Sequence, residues 1–448
     1  MRTDQERVLV ALQELGSWGA DLQWDHVPGR VQQRLQLVLL DSLAVTIAGG
    51  RLPEREPLVR AWDPGPGECP VLGAGVLTDP NTAAWLNASA MVSLELDEGN
   101  KHAAGHPAAH GFPAVLALAA HLDSDGPTTA AALLVAYEVA ARFGRACRLR
   151  PGMHPHGNWG VAGGAAGCAR LLGLDAEGLV AAMDTASGMP IAGHFAAALD
   201  GNPVRHEWMG ATAVAALAAA RLAQAGAAHA TGIAARSLGE LLGELDASEL
   251  AVQLGSRWDV ELGYFKRHAS CAFTHPAADA ALQLRAGLVI DEVAEVVVEV
   301  SSMAAALARP GADTRLGAMF SIPFVTATAL VHGVVEPASY TATRLHDTRL
   351  ADLAGLIHVV AAPDLDQRLP DERAVRMLVR FRNGTEAHCA LPNPVGDADY
   401  RPYDECGLAD LLDVLLGAGD ALDRVRACVR DLPGASSVRT VLATLAAP

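Results

Sequence analysis

The sequence predicts a mainly α protein in which a large all-helical domain is joined to a smaller α+β domain. Three observations lead there. Of 448 residues, 51% are hydrophobic but only 4% aromatic, and an interior of Ala, Leu and Val favours helices because small and straight-chain residues lose little entropy in them. Helix-period runs fill residues 1 to about 265, whereas short β-branched runs begin only after about 270. The chain is also too long for one ordinary core.

The elements follow in order. MRTDQERVLVALQELGSWGADL reads as a polar start and an amphipathic helix, without the uninterrupted apolar stretch and small-residue cleavage site of a signal peptide. The apolar runs AVLALAAHL (114–122) and ATAVAALAAARLA (211–223) are too short, or too broken by charge, to cross a bilayer. A cytoplasmic protein that does not enter membranes is expected. QRLQLVLLDSLAVTIAGG, TAAWLNASAMVSLELD, TAAALLVAYEVAARFGRAC and WGVAGGAAGCARLLGL continue the helices. In LLGLDAEGLVAAM, Gly173 is a helix stop and Asp175 the next N-cap, which predicts a helical hairpin.

EVAEVVVEVSS, LIHVVAAPD and AVRMLVRFRNGTEAHCALP read as strands, and Asn383-Gly384 is a strong hairpin signal. The helical stretch FSIPFVTATALVHG lies among them. YDECGLADLLDVLLGAGDALDRVRACVRDL returns to helix. The expected division is therefore a helical domain of residues 1–265 completed by 403–448, and an α+β domain of 266–402.

A formal charge of −17 without a basic run argues against nucleic acid and anionic membranes as partners. Seven scattered cysteines form no CxxC pair, so reduced thiols are expected, with neither a disulfide framework nor a cysteine zinc site. Among 34 basic residues only Lys101 and Lys266 are lysines. A position that keeps lysine in so arginine-rich a chain points to a need for a compact ammonium or a tunable pKa.

Ionisable chemistry concentrates in ELDEGNKHAAGHPAAHGFPA (95–114). Glu95, Asp97 and Glu98 end a helical pattern, Gly99-Asn100 breaks it, Pro107 holds His106 extended, and Pro113 is expected to start the next helix. That puts the acids and His106 on a loop, where a histidine near carboxylates can act as acid or base, although a solvated polar loop has the same composition. His102, His106 and His110 have metal-ligand spacing, but the two prolines spoil the helical face a metal would need, so no metal is expected.

RPGMHPHGNWGVAGGAAGCARLLGL (150–174) lacks GK[ST] and a preceding strand, so its glycines indicate close helix packing rather than nucleotide binding. It delivers His154 to a helix start, where N–H groups can also hold an anion. HFAAALDGNPVRHEWMGATA (194–213) presents Arg205, suited either to a bidentate carboxylate clamp or to an ordinary surface. ELGYFKRHASCAFTHPAADAAL (261–282) places Lys266, Cys271 and His275 at the domain junction, and interdomain clefts are favoured ligand sites. Cys271 fits a thiol nucleophile or, more commonly, a small buried cysteine.

Taken in order, these blocks resemble the MmgE/PrpD family, which includes 2-methylcitrate dehydratase, cis-aconitate decarboxylase and iminodisuccinate epimerase. The likeness rests on LDEGN followed by GHPAAHGFPAVLALA, GMHPHGNWGVAGGAAGCARLLGL, VRHEWMGA, YFKRHASCAFTHPAADAAL, MFSIPFVTATAL and GDADYRPYDE. It implies a helical domain built from both ends of the chain, an α+β lid, a homodimer, and no metal or organic cofactor. It also implies a cleft between the domains lined by Asp97, Asn100, His106, His154, Arg205, Lys266 and Cys271. Compared with the decarboxylases, this sequence has Gly99-Asn100 for a threonine, Arg205 for a lysine, Cys271 for a histidine and Phe324 for a tyrosine, which argues against transferring their substrate.

The expected activity is removal of a proton next to a carboxylate of a small di- or tricarboxylic acid, with dehydration first and epimerisation or decarboxylation as sister outcomes. His106 and His154 exchange protons in this reading, Asp97 tunes a histidine, and Arg205, Lys266 and Lys101 hold negative charge. Asn100, Cys271, His275 and Phe324 complete the expected substrate contacts. A non-catalytic protein that binds an acidic metabolite is the alternative from another class.

Overall fold

The computed structural model describes residues 3–311 and 313–446. α1 (Asp4–Asp21) opens on a capping box in which the Glu6 amide donates to Thr3 Oγ1 and the Thr3 amide to Glu6 Oε2. The longer helices that follow are α2 (Gly29–Gly50), α3 (Pro80–Met91), α4 (Pro107–Leu122), α5 (Gly126–Ala146), α6 (Val161–Leu171), α7 (Ala176–Ser187) and α8 (Val204–Gln224).

α6 packs against α4, α5, α7 and α8. Its sequence VAGGAAGCARL explains that position. A Cβ at Gly163 would stand 2.4 Å from Ala136 O, and one at Gly167 2.8 Å from Ala132 O, so glycine lets the α5 backbone approach. The hairpin from α6 to α7 turns as its sequence suggests: Gly173 takes φ +70°, the Leu174 amide donates to Ala169 O, and Asp175 Oδ1 accepts the Gly178 amide at 2.9 Å.

α4 departs from the sequence expectation, because it starts at Pro107 and contains Pro113. At the first turn a missing N–H leaves no bond unmade. Pro113 removes one ladder bond to the carbonyl four residues earlier, but its neighbours Ala109, Phe112, Val115 and Leu118 are buried, and this packing carries the helix through.

A short antiparallel ladder, β1 (Gly99–Asn100) with β2 (Gly263–Tyr264), stitches the acidic loop to the chain entering the second domain. Beyond it, β3 (Val293–Val300), β4 (Ile357–Ala361), β5 (Val375–Phe381) and β6 (Glu386–Leu391) form a sheet of spatial order β6-β5-β3-β4. β3 and β4 run parallel, with Val296 opposite Ile357, and the other pairs are antiparallel. Val296, Val298 and Val300 are buried, whereas Glu295 and Glu299 pair with Arg380 and Arg376 on the other face, the period of two that a one-sided sheet requires. The turn from β5 to β6 carries Asn383-Gly384, with Gly384 at φ +84°.

α9 (His275–Arg285) covers β5 and β6, and α10 (Ile322–His332) packs on α9 and β4. The chain then returns to the helical half: α11 (Glu405–Leu416) and α12 (Ala421–Asp431) pack on α2, and Arg439 donates to Ala120 O and His121 O at the end of α4. No single described helix is long and apolar enough to cross a membrane.

Candidate active site

The loop between α3 and α4 is held by its own polar groups. Asn100 Oδ1 accepts the His102 and Ala103 amides at 3.0 and 3.1 Å, and Asn100 Nδ2 donates to Asp259 O at 2.9 Å. Asparagine side chains close turns in this way. The Asn100 amide also donates to Gly105 O at 2.8 Å, which closes the loop and presents His106 at the N-cap of α4.

His106 does not use its ring to cap that helix. Glu98 does so instead: its Oε1 accepts the Ala108 amide at 2.8 Å, while Tyr137 donates to Oε2 at 3.2 Å. Burial pushes the Glu98 carboxyl up to about 7. Relieved of capping, His106 turns Nδ1 toward Glu98 O at 2.7 Å and Asp97 Oδ2 at 3.0 Å. Both neighbours are acceptors, so Nδ1 carries a proton, and in the neutral ring Nε2 keeps its lone pair. Burial alone would raise the Asp97 carboxyl, but the His106 and Lys266 charges more than reverse this and hold it well below the usual carboxylate range.

Four imidazoles gather beside that loop. The His106 and His156 ring centroids are 5.4 Å apart, and those of His154 and His156 4.5 Å. His110 Nδ1 donates to His106 O at 3.0 Å, and its Nε2 accepts the Gly157 amide at 3.3 Å. Burial pulls His110 down to about 4. Gly160 gives it room, since a Cβ there would lie 2.2 Å from the ring. His154 stacks on Phe195, and its Nδ1 accepts the His156 amide at 3.1 Å. Burial first, and then the Arg205 charge, hold both His154 and His156 well below the ordinary imidazole pKa.

Arg205 organises this cluster from the first turn of α8. It donates from Nε to His154 Nε2 at 3.4 Å, from Nη1 to Val92 O at 3.3 Å, and lies 3.2 Å from His156 Nε2 through Nη2. It also forms an ion pair with Glu95. A neutral imidazole accepts at only one nitrogen. His154 therefore meets a donor at each ring nitrogen and, when neutral, accepts from one of them at a time. Lys266 lies 3.4 Å from both Glu95 Oε2 and Asp97 Oδ1. Burial lowers its ammonium pKa, but these two carboxylates outweigh that and keep it above the ordinary lysine value.

A cavity of about 160 Å³ lies between the two halves of the fold, walled by Glu95, Asn100, Lys101, His106, His154 and Arg205 on one side and by Tyr264, Cys271, Phe320 and Arg373 on the other. A largely apolar lining with a few converging polar groups is the make-up of a small-molecule site. Lys266 sits behind this wall and faces a separate cavity of about 280 Å³ with Asp41, Leu96 and Glu336. Lys101 Nζ gives its hydrogens to Asp371 O, Asp397 Oδ1 and Asp399 Oδ2 at 2.7, 3.0 and 2.6 Å. Three converging oxygens around one nitrogen explain why this position holds a compact ammonium. Burial pushes the Cys271 thiol up to about 11, which leaves it protonated and a poor nucleophile near neutrality.

The sequence-selected residues thus divide into three groups. Asp97, His106, His154 and Arg205 come together with Lys266 behind them, and Asn100, Lys101 and Cys271 line the cavity with their side chains already engaged or protonated. His275 and Phe324 lie outside the cavity wall: His275 Nε2 is 3.1 Å from Ser270 O, and Phe324 stacks on Tyr340. Sequence reasoning missed His156, Arg373 and Phe320 as site residues. His156 stands two residues from His154, a signal that was there to use; Arg373, among 32 arginines, had none.

Two family models match the chain, the MmgE/PrpD N-terminal domain over residues 13–241 and the MmgE/PrpD C-terminal domain over residues 268–408. A cis-aconitate decarboxylase of Aspergillus terreus is 25% identical over 426 aligned residues, covering 87% of this chain and 86% of that protein. A cis-aconitate decarboxylase-like protein of Aspergillus oryzae is 32% identical over 193 residues, covering 40% of this chain and 39% of that protein.

Proposed function

The chain belongs to the MmgE/PrpD family, and from that membership and the geometry of the cleft we propose a lyase that works through its own side chains, taking a proton from the carbon beside a carboxylate of a small acid and then expelling water. The observation that carries this reading is His106, whose Nδ1 is fixed 2.7 Å from Glu98 O and 3.0 Å from Asp97 Oδ2. Its Nε2 is the base. An ionised Asp97 beside the ring stabilises the imidazolium that forms, and the electron pair left on carbon spreads into the substrate carboxylate, where the cations of the cleft stabilise it.

His154, held neutral by burial and the Arg205 charge, hydrogen-bonds to the departing hydroxyl. The proton held by His106 then passes to that oxygen. The carbon–oxygen bond breaks, water leaves, an unsaturated acid remains, and both histidines end neutral. Lys266 holds Asp97 and Glu95 in place.

A second reading is supported by the relatives named as decarboxylases. Loss of carbon dioxide from that carbon generates a comparable carbanion, and His106, having first taken a proton from solvent, passes it to the carbon and ends neutral. Epimerisation returns the proton to the opposite face of the same carbon. A homodimer belongs to the proposal through the family likeness and is checked by sedimentation.

The test is a screen of small carboxylic acids by NMR in deuterated water, with product masses. Exchange at the carbon beside a carboxylate is expected for at least one acid, and loss of water identifies the dehydratase. Binding without exchange for every acid would favour a non-catalytic acid-binding protein.

A further inference from the structure

Four side-chain cations stand at or directly behind the cleft wall, and they face four carboxylates: Arg205 and Lys266 with Glu95 and Asp97, Lys101 and Arg373 with Asp397 and Asp399. The cavity is therefore charge-balanced by side chains of the protein itself. What distinguishes the cations is how many hydrogens each still has to offer. Lys101 has given away all three. Lys266 does not reach the cavity wall. Arg205 spreads its donors over Glu95, Val92 O, His154 and His156, so the bidentate carboxylate clamp expected of it has no pair of free hydrogens.

Arg373 differs. It lines the cavity, is 6% exposed, and lies over the Tyr264 ring at 4.0 Å from the centroid. Its Nη2 donates to Asp397 Oδ2 at 3.0 Å. Its buried Nε has no acceptor, and among the described residues none accepts from Nη1. A buried donor without an acceptor is costly, and an arriving carboxylate removes that cost. Arg55, Arg142, Arg145, Arg170 and Arg257 also have an Nε without a hydrogen-bond acceptor, but none of them lines the cavity. The apolar part of the wall is made by Phe195, Phe273, Met303, Phe320, Leu369 and Pro370.

We propose that Arg373, supplied by the second domain, anchors the substrate carboxylate, and that the acid it takes has a single carboxylate and, beyond the hydroxyl it loses, an apolar remainder. The inference rests on the cleft being an acid site, as proposed above. A second or third carboxylate finds no side-chain cation with hydrogens to spare except the one left on Arg205, and would bring net negative charge into a balanced, largely apolar cavity.

The probes are pentanoate, pentanedioate and propane-1,2,3-tricarboxylate, which share a five-carbon chain and carry one, two and three carboxylates. Their dissociation constants are measured by calorimetry on the full chain, on Arg373→Ala and on Arg373→Lys, with melting temperatures recorded for each. The lysine variant keeps a cation beside Asp397 and so separates anchoring from folding. Pentanoate is expected to bind at least as tightly as the other two, and to lose about tenfold or more in affinity in Arg373→Ala, with partial rescue by added guanidinium. Three results would overturn the proposal: no detectable pentanoate binding, unchanged affinity in both variants, or tricarboxylate binding about tenfold tighter than pentanoate. Because binding is read without turnover, absence of proton exchange would count against the proposed reaction while these constants still decide the role of Arg373.

Discussion

His106 Nδ1 lies 3.0 Å from Asp97 Oδ2, and the Asp97 side chain is wholly buried. One loop carries both residues, so their spacing is set by nine positions of chain, by the Asn100 turn and by the start of α4 at Pro107. A buried carboxylate that stays ionised favours the protonated imidazole beside it and orients the ring.

Replacing Asp97 by Asn keeps the shape but removes that charge. Turnover on an identified substrate is expected to fall about 100-fold or more, chiefly in kcat, because the imidazolium forms only after substrate is bound. Steady-state kinetics beside a thermal melt checks this, and an unchanged kcat counts against a role for Asp97 in charge stabilisation.

Lys101 ties the acidic loop to Asp371, Asp397 and Asp399 of the second domain. Its head group and Asp397 are almost fully buried, and removing one member of a buried pair leaves the other uncompensated. Lys101→Met is expected to lower stability by about 3 kcal/mol, and Lys101→Met with Asp397→Asn by less than the sum of the single effects. Denaturant unfolding of the three variants measures both.

Glu98 gives a pH signature in stability. Burial raises its folded pKa from 4.5 to about 7. A carboxyl raised on folding contributes stability that is complete below pH 4.5 and is lost as the pH rises toward 7, since the unfolded chain ionises first. Against Glu98→Gln, which does not titrate, the native protein is expected to lose on the order of 3 kcal/mol between pH 4.5 and 7 and nothing further above it. Melting temperatures of both proteins across that range test the sign.

Cys271 lines the cavity, but burial holds its thiol at about 11. Cys271→Ala is expected to keep turnover within about threefold, a change smaller than the loss of any general acid or base. Iodoacetamide at neutral pH is expected to leave activity intact, and rapid inactivation of the native protein but not of the variant would give the thiol a chemical part.

Features whose cause is local were legible in the chain. The stop at Gly173, the cap at Asp175 and the turn at Asn383-Gly384 each need only a few neighbouring residues to be specified, and the change from helix period to strand period marks the second domain. Pro113 misled because its effect on a helix depends on what packs around it, and the burial of Phe112, Val115 and Leu118 is a property of the folded molecule. Asp97 and His106 could be associated because one loop holds them, and His154 and Arg205 joined them through the order of the family's blocks. What no local pattern carries is the assignment of partners. Glu95 neutralises Arg205 across 110 positions, and Asp397 meets Lys101 across 296, so the cations that looked free in the sequence are paired in the fold while Arg373, unmarked in the sequence, retains donors.

The most direct measurement of the central claim is hydrogen exchange at the carbon beside the carboxylate, followed by NMR in deuterated water for the native protein and His106→Ala with an acid that both are shown to bind. The native protein is expected to exchange that hydrogen, and the variant to do so about 100-fold to 10,000-fold more slowly at saturating acid. Equal exchange rates in the two proteins would contradict the assignment of His106 as the base.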